Sequence, residues 1–175
     1  MNIDELIESN KEFAEKYIKK ERCFAPQIII SHKGDIIPIA ISGDRSTVKD
    51  TISMIERVKD ELDWILFMQE AYMEMRKITS KEVDKLKEYK HGSLEERFLA
   101  GNENIKWIFI LQAYWKDKEE GKAKWIKKAR IYEIKTVSLN FEFVSETENF
   151  VGFLTISFIS SLFQLPPLNL ISAVN

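Results

Sequence analysis

The alternation of apolar and polar positions is most regular between Trp107 and Trp115. Every second residue in this segment is apolar, and Ile108 and Ile110 make the other side apolar too, until the pattern turns polar at Gln112. Aromatic and β-branched residues in this arrangement are typical of an inner strand that is covered on both faces. We therefore predict that this segment is the middle of a sheet.

Residues 64–73 nearly repeat this central segment. The two sequences match if Glu70 is treated as one inserted residue. Their matched apolar content suits the same buried layer, so we predict that they are adjacent strands. A one-residue insertion reverses the faces of the later side chains unless a bulge absorbs it, which predicts an irregularity near Glu70.

Three segments have apolar residues at the three-and-four spacing of amphipathic helices. They span residues 3–20, 46–61 and 148–165, and the last also contains β-branched residues that suit a strand. Between the two repeats, Ser93 and Glu96 have capping-box spacing and Gly101 is a suitable stop, which predicts a shorter helix.

Short apolar runs on either side of Gly34 predict a hairpin with the glycine at positive φ. Pro38 removes a ladder donor, so the second strand of this hairpin is expected to be either an edge strand or interrupted. Two further strands are expected after residue 122. Together these elements predict one α+β domain over residues 1–175. Its antiparallel or mixed sheet has about six strands, and its helices pack largely on one face.

The composition excludes some classes of function but does not identify one. The 175 residues include 26 Lys plus Arg against 28 Asp plus Glu, a net charge of -2, so no global basic field attracts nucleic acid or anionic lipid. Cys23 is the only cysteine, and the first residues lack the basic and then apolar order of a signal peptide. We therefore expect a reducing, cytoplasmic setting.

One pattern resembles the metal site of PD-(D/E)XK nucleases. Asp117 precedes a turn, and Glu133 and Lys135 lie one residue apart at the end of the following strand. The resemblance implies that Asp117 and Glu133 hold Mg²⁺ or Mn²⁺ while Lys135 helps to polarise an attacking water. The competing interpretation is a solvated strand end, because such triplets are frequent in a chain rich in Glu and Lys.

The strand before Glu133 is basic and contains aromatic residues, a combination that favours single-stranded nucleic acid. Strand alternation divides its cations, however, placing Lys124, Lys128 and Arg130 on one face and Lys127 with Trp125 on the other. A charged outer face that prevents aggregation explains the same residues. Nucleic acid is therefore a weaker partner hypothesis.

Glu70 is the best single candidate for a functional acid. It interrupts an apolar strand, where a carboxylate is costly unless it is paired or exposed. The competing interpretation is that the strand emerges into water there. No glycine-rich phosphate loop or dinucleotide fingerprint is present, so we expect no cofactor apart from the divalent ion of the nuclease hypothesis.

The segment from Pro26 to Trp115 resembles a group of small prokaryotic proteins with no known activity. The similarity rests on an apolar strand after Pro26, the hairpin at Gly34, the Glu-Ala-Tyr sequence at Glu70, and a loosely matching Ser93 and Arg97. This resemblance implies a shared α/β fold and no particular chemistry.

The chain has no charged residue after Glu148, and residues 165–175 form an apolar tail. Polar residues and the Pro166-Pro167 pair argue against a membrane span and against membrane attachment. Exposed apolar patches mark association sites. The sequence therefore predicts a non-catalytic cytoplasmic interaction module that forms a homodimer or binds a protein partner. The residues expected to make this contact are Leu165, Leu168, Leu170, Ile171 and Val174.

Overall fold

The structure is a computed structural model that describes residues 2–41, 45–74, 93–119 and 122–147. Its helices are α1 (Ile3–Glu21), α2 (Arg45–Val58) and α3 (Ser93–Leu99), and a 3-10 turn (Lys59–Glu61) follows α2. Its strands are β1 (Gln27–His32), β2 (Asp35–Ala40), β3 (Leu62–Glu74), β4 (Ile105–Glu119), β5 (Lys122–Ile134) and β6 (Phe141–Thr147). The predicted helices at 3–20, 46–61 and after Ser93 are confirmed, whereas 148–165 lies outside the described residues.

The six strands form one antiparallel sheet in the order β2-β1-β3-β4-β5-β6. The predicted α+β class and strand number are therefore confirmed. The two repeat segments are the adjacent strands β3 and β4, as expected, with Trp64 opposite Trp115 and Tyr72 opposite Trp107.

The irregularity predicted near Glu70 is wrong. The β3–β4 register continues without a shift, and Glu70 lies opposite Phe109. The reason is that antiparallel pairing sets the start of one repeat against the end of the other. An extra residue in one copy therefore does not put the two strands out of step.

The central strands are apolar on both faces, and each face has its own helix. On one face, here called the α1 face, Leu66 and Phe109 pack with Ile7 and other apolar residues of α1. On the opposite α2 face, Ile65 packs with Ile55 of α2. The prediction that the helices lie largely on one face is therefore wrong. Alternate residues of β3 and β4 are apolar in both directions, so both sides of the sheet need a cover.

The β1–β2 hairpin closes the first edge of the sheet. Its turn has positive φ at Lys33 (53°) and Gly34 (89°), as a two-residue type I′ turn requires, and this confirms the predicted hairpin. The pair of residues that closes a two-residue turn is hydrogen-bonded, and hydrogen-bonded and non-hydrogen-bonded pairs alternate from there along the ladder. Pro38 belongs to a non-hydrogen-bonded pair, so its nitrogen points away from β1. The edge strand therefore lacks a donor on its free side, which hinders pairing with another chain.

Within the described part of the chain, no helix combines the length and apolarity needed to cross a membrane.

Replacing Phe109 by Ala should lower the free energy of unfolding by about 3–5 kcal/mol, because its fully buried ring would leave a cavity. The ring centroid lies 5.0 Å from that of Phe24 and 4.9 Å from that of Phe141. Phe143→Ala is a matched control, since Phe143 is 61% exposed, and should cost less than about 1 kcal/mol. Urea unfolding measures both, and equal losses would contradict the packing described here.

Candidate functional site

The residues of the nuclease hypothesis lie far apart along the β4–β5 hairpin. The backbone of Asp117 pairs with Lys124 near the tip of the hairpin, whereas Glu133 pairs with Ile108 near its other end. Lys124 and Glu133 are separated by nine residues along β5, or about 30 Å at the rise of a strand. The structure therefore does not bring Asp117 and Glu133 together around one ion.

Glu133 and Lys135 do meet, but in a network of ion pairs. Lys135 Nζ lies 3.0 Å from Glu133 Oε2 and 2.9 Å from Glu142 Oε2, and Lys106 Nζ lies 3.6 Å from Glu133 Oε1. Hydrogen bonds that Lys135 donates to Glu142 and Glu133 hold the pKa of Lys135 above its ordinary value. Among the side chains that the structure describes, no three His, Cys, Asp or Glu residues are grouped as metal ligands.

The cations of β5 divide between the two faces of the sheet as their alternation predicts. On the α1 face, Arg130 donates to Asp4 of α1 and to Glu146 of β6, and Lys128 Nζ lies 3.0 Å from Asp4 Oδ1. The hydrogen bond from Lys128 lowers the pKa of Asp4, and the one from Arg130 lowers that of Glu146. These cations fasten α1 to β5 and β6, which leaves them poorly placed to contact nucleic acid.

Glu70 occupies the most unusual polar position on the α1 face. It lies on β3 opposite Phe109, and Trp107 is the next residue of β4 on the same face. On its other side β1 begins only at Gln27, so the preceding chain at Phe24 has left the ladder. A hydrogen bond from the backbone N–H of Phe24 favours the ionised form of Glu70 and acts to lower its pKa.

Burial raises the pKa of Glu70, and the negative charge of Glu95 raises it further. The opposing effects of the Phe24 N–H and of the Trp107 indole do not offset burial. One carboxylate oxygen, Oε2, is buried and has no hydrogen-bond partner among the described groups, and the nearby Trp107 Nε1 also lacks an acceptor at hydrogen-bond geometry. Glu70 is thus a half-buried acid whose surroundings do not satisfy its charge.

Aromatic side chains surround this carboxyl group. Tyr72 follows it on the same face, and the Tyr72 ring centroid lies 5.1 Å from that of Phe98 on α3. Burial raises the pKa of the Tyr72 hydroxyl, with further contributions from Glu95 and Glu70. We call the group of Glu70, Tyr72, Phe98 and Trp107 the Glu70 cluster. It combines a single acid with rings that are only partly buried.

This arrangement favours recognition of a positive charge. In the absence of a cation, the raised pKa expresses the cost of ionising Glu70 in a poorly hydrated place. A cation would favour the ionised form, and its contact with an aromatic face would add attraction.

The sequence identified Glu70 but not the residues around it. The sequence pattern predicts only that Trp107 belongs to the apolar layer. Its position next to Glu70 follows from the antiparallel register and not from spacing along the chain. Phe98 reaches the site only because α3 packs on β3 and β4. The one available signal was the near repeat, which predicts that β3 and β4 are neighbours.

His32 lies away from this cluster. The Nε2 atom of His32 lies 3.3 Å from Glu61 Oε2 near the β1–β2 turn, and His91 lies outside the described residues. Helix α3 begins at Ser93, and the capping role of its side chain stays a prediction.

Comparison of the chain with known protein families, with curated proteins and with solved structures gives no match. The resemblance to small prokaryotic proteins stays a prediction.

Glu70→Gln should stabilise the protein at about pH 7 more than at about pH 4. A carboxyl group whose pKa is raised by folding favours the folded state at low pH, and this contribution is lost as the pH rises through the folded-state pKa. Glutamine keeps the shape without titrating. Urea unfolding of both proteins at the two pH values measures the effect. Glu12→Gln makes the same change on the exposed side of α1 and is the control; a pH-independent difference for Glu70→Gln would contradict the assignment.

Proposed function

We propose that this chain is a non-catalytic, cytoplasmic binding module that accepts a Lys or Arg side chain of a protein partner at the Glu70 cluster. The observation that carries the proposal is the buried, unpaired Oε2 atom of Glu70 next to Trp107. Burial of an ionised carboxylate is unfavourable until a cation accompanies it. A partner's cation supplies the missing charge.

The aromatic residues of the cluster support a cation rather than a neutral donor. Tyr72 and Trp107 are opposite each other on β3 and β4, and both are partly buried. A cation over such a ring gains about 0.5–2 kcal/mol, depending on how far it is desolvated. The carboxylate and the aromatic rings therefore both favour a cation.

Exposed apolar residues near the cluster support a protein as the source of that cation. Leu99, at the end of α3, is 74% exposed. On the other side, the exposed ring of Tyr17 on α1 packs against Phe24, whose centroid is 5.6 Å away. A buried charge surrounded by partly exposed aromatic and aliphatic side chains has the composition of a protein-interaction hot spot. A free small amine would not use these surrounding residues.

The apolar tail supports a further contact by self-association. Residues 165–175 lie outside the described residues, so this part of the proposal rests on the absence of charge after Glu148. The proposed contact residues are Leu165, Leu168, Leu170, Ile171 and Val174. In this proposal the tail forms a homodimer while the Glu70 cluster takes the partner's cation.

Addition of N-acetyl-lysine methylamide should shift the indole N–H resonance of Trp107 in a saturable manner, because the ammonium group enters between Glu70 and the rings. The Trp107→Phe variant assigns this resonance among the four tryptophans. The norleucine derivative has a similar chain without the charge and should cause little change. Glu70→Gln should abolish the response to lysine, and a response that is equal for both ligands or survives this substitution would contradict the proposal.

Removal of residues 165–175 should convert a homodimer into a monomer in light scattering. A full-length variant with Leu168, Leu170 and Ile171 changed to Ser should behave in the same way, because it removes apolar surface without shortening the chain. If the full-length protein is monomeric, or if both variants remain dimeric, the tail is not the association surface.

A further inference from the structure

A pair of polar residues interrupts the α2 face, opposite to the face that carries Glu70. The apolar residues of the α2 face form two clusters, one under α2 that includes Tyr114, and one further along β4 and β5. Gln112 lies on β4 between them, and Lys127 lies opposite Tyr114 on β5. Gln112 and Lys127 are therefore diagonal neighbours across two paired strands, a spacing of about 7–8 Å that long side chains can bridge.

The ammonium group of Lys127 lies in an unusual environment for a lysine. Lysine ordinarily lays its stem on the protein and extends its ammonium group into water. Here the residue as a whole is partly exposed, yet its Nζ atom is buried and has no hydrogen-bond partner. No carboxylate among the described residues forms an ion pair with it. Burial lowers the pKa of Lys127, as it does for an ammonium group that lacks a counter-charge.

Gln112 provides a second, independent observation. It is only 2% exposed, and its Oε1 atom is also without a partner. Since the two ends of an amide are interchangeable by rotation, Gln112 can present either an acceptor or a donor to a group between the strands. An unpartnered amide oxygen in a packed layer costs free energy, which a group bound at this position would recover.

The local charge indicates the sign of the missing group. Lys116 lies on the same face of β4, and its ammonium group is 5.2 Å from the ring centroid of Trp125 on β5. Lys116 donates to the backbone carbonyl of Asp60. In the described portion of this face, Lys127 is the lysine diagonal to Gln112, Lys116 lies four residues from Gln112 along β4, and neither lysine forms an ion pair with a described carboxylate.

We propose that Lys127 and Gln112 form a binding site for a small carboxylate. The two oxygens of one carboxylate can accept from the Lys127 ammonium group and from the Gln112 amide at the same time. The apolar clusters on both sides favour a small monoanion, because a strongly hydrated multiply charged group loses more on leaving water. This site is separate from the Glu70 cluster, since the two lie on opposite faces of the sheet.

A buried water is the competing occupant. A single water bridging Lys127 and Gln112 would satisfy hydrogen bonds but would not neutralise the ammonium charge. The two occupants therefore differ in their effect on the protonation of Lys127. A bound carboxylate raises the pKa of Lys127 because it favours the charged form, whereas a water leaves it low.

Titration of the full-length protein with sodium acetate, followed by NMR of ¹³C-labelled lysine, tests the site. The Lys127 signal is assigned by its absence in Lys127→Met. We expect a saturable shift of this signal and an increase in the Lys127 pKa with acetate, but not with sodium chloride at the same ionic strength. Gln112→Leu should weaken acetate binding by about five- to tenfold, the loss expected for one hydrogen bond.

Lys128→Met is the matched control, because the same change is made one residue away on the opposite face of β5. It should leave the response of Lys127 to acetate unaltered. A Lys127 signal that shows contact with a long-lived water and no saturable response to acetate would overturn the proposal. An equal response to chloride would also overturn it, since it would reflect general screening of charge.

Discussion

The antiparallel pairing of β3 with β4 is the constraint on which the rest of the fold depends. These two strands occupy the centre of the sheet, and both are apolar on both faces. Since side chains alternate with a period of two, neither face can be left to water. One helix must therefore cover each side, and ion pairs from Asp4 to Lys128 and Arg130 hold α1 over the side that it covers.

The same constraint explains why two polar positions stand out. A polar residue in the central part of β3 or β4 faces a covered layer, and Glu70 lies on the α1 face and Gln112 on the α2 face. The neighbouring lysines of β5 show the effect of alternation most directly. Lys128 meets the carboxylate of Asp4, whereas the amine of Lys127 is buried on the other face without a partner. One step along a strand separates a satisfied charge from an unsatisfied one.

Local sequence patterns predicted the elements better than their arrangement. The spacing in α1, the turn at Gly34 and the alternation in β4 depend on neighbouring residues, and the structure confirms them. The side on which α2 packs depends instead on tertiary contacts, and that prediction failed. Glu70 was visible because it interrupts an apolar run. Its neighbours Trp107 and Phe98 were not, because register and the packing of α3 place them there.

The cross-strand register also distinguishes charged residues that face an opposite charge on the neighbouring strand from polar residues that do not. The ladders place Asp117 opposite Lys124, Glu119 opposite Lys122, and Arg130 opposite Glu146. Arg130 donates to Glu146, and an opposite-charge pair at such positions stabilises paired strands. Glu70, by contrast, is opposite Phe109, Gln112 is opposite Ala129, and Lys127 is opposite Tyr114. Each of these three lacks a charged or amide group across the strand, and each has a buried atom that forms no hydrogen bond. The two proposed binding sites rest on these three residues, whereas Arg130 and Glu146 already form a cross-strand pair.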